Sequence, residues 1–321
     1  MRASLVIPTW NAGPLLEEVL SAVAAQPGAD ELERVAIDSG STDGTVATLQ
    51  RHGFLVHTIP QREFNHGATR DLGIARTKGD VVMLLTQDAT PADRRWLPAL
   101  LGVYSDPAVD AAWCRQIPRP DCNPVLRRRI EEWMGDRKTM TLQRLPAGRT
   151  FADLPPMERL RLSAFDNVAS SVRRTTWEKY HFGWQRFGED VTFGKRVIEG
   201  GGCIAFVPEA AVVHSHRTTP RQEGKRVYCD HQNLSALFGL VLIPDLAHCK
   251  RAARDGGAHF RRQIAEEPGL SPERRAELER WATGYAKWTA WGQYLGANSE
   301  RLRRRWFGFL MRLVDRWMYK P

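Results

Sequence analysis

Short apolar runs alternate with stretches of helical periodicity through the first hundred residues. Ser4 to Pro8, Arg34 to Asp38, Phe54 to Ile59 and the strongly apolar Asp80 to Leu85 predict four strands. Pro14 to Ala25, Thr42 to His52 and Ala68 to Thr77 predict the helices between them. Such alternation predicts an α/β fold with a mainly parallel sheet covered by helices on both faces. Ligands in these sheets gather beyond the C-terminal strand ends, which brings Thr9, Trp10, Asn11, Asp38 and Asp88 toward one crevice. No G-x-G-x-x-G follows the first strand and no P-loop is present, so dinucleotide-binding and P-loop readings are set aside.

Beyond this point the pattern changes twice. Pro118 to Arg161 is rich in Arg and Pro with one amphipathic helix over Pro124 to Lys138, which predicts a long insertion over the site. Regular structure resumes at Phe165 to Arg173, followed by a helix from Asp190 to Glu199, a glycine stop at Gly200, and strands Ile204 to Val207 and Val212 to His216. From about Arg221 the chain is helical, basic and rich in tryptophan, so a first domain of residues 1–220 and a helical region of residues 221–321 are expected.

Charge narrows the partners: 46 basic against 37 acidic side chains give +9, which favours a nucleoside diphosphate, a nucleic acid or an acidic membrane surface. No recognised nucleic-acid module is found, and nucleic acid is not expected as a partner. The five cysteines are scattered without C-x-x-C spacing, which argues against a disulfide framework or zinc cluster and for a reducing cytoplasm. Met1-Arg2 runs straight into a short strand rather than a signal-peptide core, and Leu237 to Leu246 is far shorter than the ~20 residues of a spanning helix.

Several segments carry chemistry. Asp38 stands at a strand end before a Ser-Gly-Ser-Thr-Asp-Gly turn in which Ser41 or Thr42 is expected to cap the next helix and Asp43 to be structural. Asn65, His66 and Arg70 open a helix whose free N–H groups and guanidinium can face a diphosphate; His66 reads equally as a capping residue or a sugar contact. Thr86-Gln87-Asp88 ends the fourth strand, and Glu189-Asp190 sits at a helix start where the dipole favours anions. His214 and His216 share one face of a late strand.

In order along the chain, V-I-P-T-W-N, V-A-I-D-S-G-S-T-D-G-T, L-L-T-Q-D-A and F-G-E-D with a downstream H-S-H resemble an inverting family-2 glycosyltransferase of the GT-A fold. F-N-H-G-A-T-R combined with T-Q-D-A is similar to its bacterial rhamnosyltransferase branch. The resemblance implies a Rossmann-like sheet and a donor site of Thr9, Asn11, Asp38, Asn65, His66, Arg70 and Gln87, with Asp38 accepting from a pyrimidine N–H. It implies a Mg2+ or Mn2+ site at Asp88 and His214, with His216 as the alternative ligand and Thr86 replacing the first acid of Asp-X-Asp. Asp190 is then the general base and Glu189 orients acceptor or base; Asp71, where the family has asparagine, is left without a role.

The implied activity is transfer of L-rhamnose from dTDP-L-rhamnose to a saccharide or polyprenyl-linked acceptor in bacterial cell-surface glycan synthesis. A UDP- or GDP-sugar donor and a non-catalytic sugar-nucleotide or glycan-binding protein are the alternatives. At 100° per residue the tail from Arg301 sets Trp306, Phe309, Leu310, Leu313, Val314 and Trp317 opposite Arg301, Arg304, Arg305, Arg312 and Arg316. That arrangement suits the inner face of an anionic membrane, or equally packing within the fold or in a homo-oligomer.

Overall fold

The structure, a computed structural model of the chain, describes residues 1–135, 137–304 and 308–319. It forms two compact units, Met1–Arg119 with Trp133–Ser215 and Pro120–Glu132 with His216–Pro321.

The first unit is built on strands β1 (Ala3–Thr9), β2 (Glu33–Asp38), β3 (Leu55–Thr58), β4 (Val81–Leu85), β5 (Thr90–Pro91), β6 (Ala111–Ile117), β7 (Thr141–Gln143), β8 (Ala169–Arg173) and β9 (Ile204–Val213). They form one sheet in the order β3-β2-β1-β4-β8-β6-β9-β5, with β7 added on β9. The Rossmann-like part, β3-β2-β1-β4, is parallel throughout. Beyond it β8 runs antiparallel to both β4 and β6, while β6 and β9 are parallel to each other, so the whole sheet is mixed. Leu5, Val6 and Ile7 are all fully buried, as expected of a strand covered on both faces.

Helices α1 (Leu15–Ala24), α2 (Thr45–Arg51), α3 (His66–Ala75) and α4 (Trp96–Gly102) follow the early strands. One core joins Leu16, Val19 and Leu20 of α1 and Trp96 of α4 to Leu5, Ile7, Met83 and Leu85 of the sheet. The helix α2 starts at Thr45, later than its sequence pattern suggests, because the turn before it is committed elsewhere. Asn11 N–H donates to Ser41 Oγ at 2.8 Å, and Thr42 N–H donates to Asn11 Oδ1 at 2.8 Å. In β9 a single strand replaces the two expected, and the interruption at Pro208 and Glu209 is absorbed as a register shift against Cys114 and Arg115 of β6.

The helix α5 (Pro124–Met134) ends before the predicted Lys138, and residues 120–132 belong to the second unit. There Cys122, Val125 and Leu126 pack with Ile264, Leu278, Ala282 and Tyr285. Helices α6 (Pro156–Leu162), α7 (Arg174–Tyr180) and α8 (Glu189–Glu199) complete the first unit. The second unit contains α9 (Pro220–Phe238), α10 (Leu246–Ala265), α11 (Pro272–Ala297), α12 (Ser299–Arg304) and α13 (Gly308–Met318). Gly292 of α11 lets that helix meet α9, since a Cβ there would fall 2.5 Å from the Gly224 carbonyl oxygen.

The tail helix departs from its sequence reading. Arg305 and Trp306 lie outside the described residues. The buried positions of α13 are Met311, Asp315 and Met318, whereas Phe309, Leu310 and Leu313 are exposed. A charged residue inside the fold hides this face from an apolar-stripe reading. Asp315 is nevertheless satisfied, accepting from Tyr228 Oη at 2.5 Å, from Gln232 Nε2 at 3.2 Å and from Arg303. Among the described residues no helix is long and apolar enough to cross a membrane, and all five cysteines are buried and outside any disulfide.

Candidate active site

Loops after β1, β2 and β4 are tied together at one sheet edge. Asp38 is fully buried; Oδ2 accepts from Thr9 Oγ1 at 3.0 Å and Ser41 Oγ at 2.6 Å, and Oδ1 from the N–H groups of Gly40 and Ser41 at 3.1 and 2.8 Å. The carboxylate therefore holds its own turn closed. Asp43 does the same one turn on, accepting from Thr45 N–H and Gly13 N–H, and hydrogen bonding from the Thr45 side chain first, then from Thr45 N–H and Gly13 N–H, holds its carboxyl below the usual range. Asn11 takes a left-handed backbone with φ of 42°. Gln87 clips the β4 loop to the β1 loop, accepting from Trp10 N–H at 2.8 Å and donating to the Trp10 carbonyl at 3.1 Å.

Asn65 caps α3 with Oδ1 accepting from Gly67 and Ala68 N–H, and its amide donates to the Gln185 carbonyl at 2.7 Å. Gly67 is required by this close approach, since a Cβ would sit 2.0 Å from the Gly183 carbonyl oxygen. His66 is exposed and rests edge-on to Phe64 at 4.8 Å between ring centroids; partial desolvation by the surrounding protein, followed by the charge of Arg70, keeps its pKa below the ordinary value. Asp71 acquires a role that the sequence did not suggest. It accepts from Trp177 Nε1 at 2.7 Å and from Phe182 and Gly183 N–H at 3.0 and 2.7 Å, fixing the loop that leads into the acid pair.

Arg70 lies inside the protein with its guanidinium on Glu189 at 2.8 Å and on the Asn167 carbonyl at 3.3 Å. The side chains of the pair are only 3% and 11% exposed. Removing one member strands a buried charge, so Arg70→Ala is expected to cost about 3–5 kcal/mol of stability. Urea denaturation with intact two-state behaviour reads this directly, and a loss under about 1 kcal/mol would show that solvent reaches Glu189 freely.

Asp190 follows Glu189 at the start of α8, with Oδ1 accepting from its neighbour Val191 N–H at 2.7 Å. Its carboxyl is pushed well above the usual carboxylate range, by burial first and then by the negative charges of Glu189 and Asp166, against weaker relief from Val191 N–H and Arg70. A carboxyl with raised proton affinity is a stronger base, once ionised, than an ordinary carboxylate.

At the other side, Asp88 Oδ1 faces His214 Nε2 at 3.6 Å. His216 follows two residues along the same segment, and Asp88, His214 and His216 each offer one ligand atom within 4.8 Å of the others. His214 is buried and its Nδ1 meets Gln116 Oε1 at 2.8 Å, whereas His216 is exposed. One carboxylate and two imidazoles form a mixed oxygen and nitrogen donor set. It fits a divalent ion such as Mn2+ better than Mg2+, which favours oxygen ligands. Gln116, Asp166 and Asn167, all adjoining these groups, were not singled out by the sequence, where they are ordinary polar residues near strand ends.

Polar loops at the strand ends, a carboxyl of raised proton affinity and a group able to hold a divalent ion are parts that a group-transfer enzyme uses. Residues 4–169 match glycosyl transferase family 2, and the chain belongs to that family of glycosyltransferases. It is 32% identical over 240 residues to the O-antigen chain rhamnosyltransferase RfbN of Salmonella typhimurium, covering 71% of each chain. To the O-antigen chain rhamnosyltransferase WbaN of Salmonella anatum it is 30% identical over 238 residues, covering 70% of each. Among solved structures it resembles the mannosyltransferase PcManGT from Pyrobaculum calidifontis in complex with GDP-Man and Mn2+. That match has a TM-score of 0.51 at 18% identity over 100% of this chain and 81% of the other, which shows a shared GT-A-like fold.

Proposed function

We propose that this glycosyltransferase moves L-rhamnose from dTDP-L-rhamnose to a saccharide acceptor, free or polyprenyl-linked, with inversion, in the synthesis of a cell-surface glycan. The two Salmonella relatives support the sugar and the setting. The observation that carries the chemistry is Asp190, a carboxyl at the start of α8, next to the Glu189 that pairs with Arg70, whose surroundings raise its proton affinity. Asp190 takes the proton of the acceptor hydroxyl as its oxygen bonds to the rhamnosyl anomeric carbon from the face opposite the donor. The bond from that carbon to the diphosphate oxygen breaks, and dTDP leaves with the electron pair. Arg70 holds Glu189 so that its charge stays beside Asp190. The Asp38 turn and the Gln87 clip keep the donor loops in place before the donor arrives. Asp88, His214 and His216 would hold the divalent ion, which neutralises diphosphate charge when bound.

Incubating the protein with Mn2+, a rhamnose-terminated or mannose-terminated acceptor and each of dTDP-L-rhamnose, UDP-glucose and GDP-mannose tests the donor. Product from dTDP-L-rhamnose alone supports the reading; preference for either other donor overturns it while leaving the enzyme class intact.

For location we propose the cytoplasmic face of an anionic membrane. Phe309, Leu310 and Leu313 are exposed on α13 beside the exposed Arg312 and Arg316. Basic residues at such a surface contribute about 1 kcal/mol each. Because Met311, Asp315 and Met318 hold the helix in place, the combination Phe309→Glu with Leu313→Glu should leave the fold intact and weaken binding to phosphatidylglycerol vesicles about tenfold or more. Unchanged vesicle binding removes the proposal. A change in oligomeric state instead would mark the face as a contact between copies.

A further inference from the structure

The buried imidazole of His214 is not positioned by the backbone alone. Its Nδ1 meets Gln116 Oε1 at 2.8 Å, and Gln116 Nε2 donates to Asp166 Oδ2. Asp166 is held in turn, with Oδ1 accepting from Val168 N–H at 3.0 Å. These are the terms of a directional chain. A carboxylate only accepts, so the amide must turn its NH2 toward Asp166 and its oxygen toward His214. An oxygen facing Nδ1 demands a proton there, which in the neutral ring leaves Nε2 as a lone pair. That nitrogen is the one 3.6 Å from Asp88 Oδ1.

We infer that Gln116 and Asp166 are positioning residues that fix His214 as its Nδ1–H tautomer and so keep Nε2 ready to ligate a cation; this rests on the metal reading of Asp88 and His214. Two acceptors then face one another at Asp88 and His214, an arrangement that a positive ion satisfies. The ligand class is a divalent cation. Outer partners of metal-bound histidines typically matter by about 10–100-fold in affinity. Asp166 also stands close enough to add its charge to that felt by Asp190. One carboxylate thereby borders both the ligand chain and the base.

The test uses polarity rather than deletion. Asp166→Asn replaces an obligate acceptor by a group that can donate or accept, so it no longer dictates which way Gln116 turns. Gln116→Glu combined with Asp166→Asn exchanges amide and carboxylate, keeps the total charge and restores an acceptor facing Nδ1. Long-range proton–nitrogen-15 spectra at pH 8, with the His214 signal assigned by its loss in His214→Gln, report the tautomer without any metal. Calorimetric titration with Mn2+ reports affinity.

The wild type should show Nδ1–H. Asp166→Asn should give a mixture of tautomers with Mn2+ affinity lowered about tenfold or more. The exchanged pair should recover both. An Nε2–H ring in the wild type, an unchanged tautomer in Asp166→Asn, or an exchanged pair no better than the single variant overturns the inference. If the wild type takes up no Mn2+, the metal reading fails, and the tautomer spectra alone still decide what Gln116 and Asp166 do.

Discussion

Asp190→Asn is expected to lower turnover by about two orders of magnitude or more while donor affinity stays within a few-fold of the original. Asparagine keeps the shape and cannot take a proton, so the loss should fall on the chemical step and not on binding. The same change should make the protein more stable. In the folded state the Asp190 carboxyl is pushed well above its usual range, chiefly by burial and secondarily by Glu189 and Asp166. A carboxyl with a raised folded pKa binds its proton more tightly when folded, so its ionisation opposes folding. That penalty begins as pH rises above the unfolded value of about 3.9 and grows until pH passes the folded value. The variant should therefore melt higher than the wild type at neutral pH, with the advantage shrinking toward pH 4. In the wild type the acid limb of kcat/KM should lie above the ordinary carboxylate range for the same reason. Near-normal turnover in Asp190→Asn would move the base elsewhere, with Glu189 disfavoured by its pairing to Arg70. A lower melting temperature at neutral pH would contradict the electrostatic account even if activity fell.

What could be read from the sequence follows from where the determining interactions lie. Val81–Leu85 of β4, Leu5–Ile7 of β1 and Val35–Ile37 of β2 are apolar runs because both faces are covered there, and the loops therefore announce themselves by the polar residues after each run. The antiparallel direction of β8 could not be read, since Ala169, Ser170 and Ser171 carry no signal of direction; it depends on partners 84 to 92 residues away in β4. Local competition explains the late start of α2. Ser41 and Thr42 look like caps, yet Ser41 Oγ accepts from Asn11 N–H and donates to Asp38, while Thr42 N–H donates to Asn11 Oδ1, so this turn is bonded across to the loop after β1. Arg70 illustrates the limit for a site. Its position at a helix start favours an anion, and the anion present is Glu189, brought in from 119 residues along the chain. Gln116 and Asp166 were invisible for the same reason, because their meaning exists only through His214.

Asp88→Ala should abolish measurable Mn2+ binding, and His214→Ala should weaken it by more than about a hundredfold, the scale reached by outer partners alone. His216→Ala should cost less. All three side chains can reach one ion, but they are not equally prepared to do so. His214 is 7% exposed and held at Nδ1 by Gln116, so little ordering remains when it ligates. His216 is exposed and must surrender more freedom to do the same. Asp88 supplies the carboxylate oxygen of the set, and no second acid stands at the Thr86 position to replace it. Metal-dependent binding of dTDP-L-rhamnose should fall in the same order, measured by calorimetry with and without EDTA. Equal losses for the two histidines would mean that prior ordering of His214 has no energetic value. Donor binding and turnover that persist unchanged in EDTA would remove the metal from the mechanism.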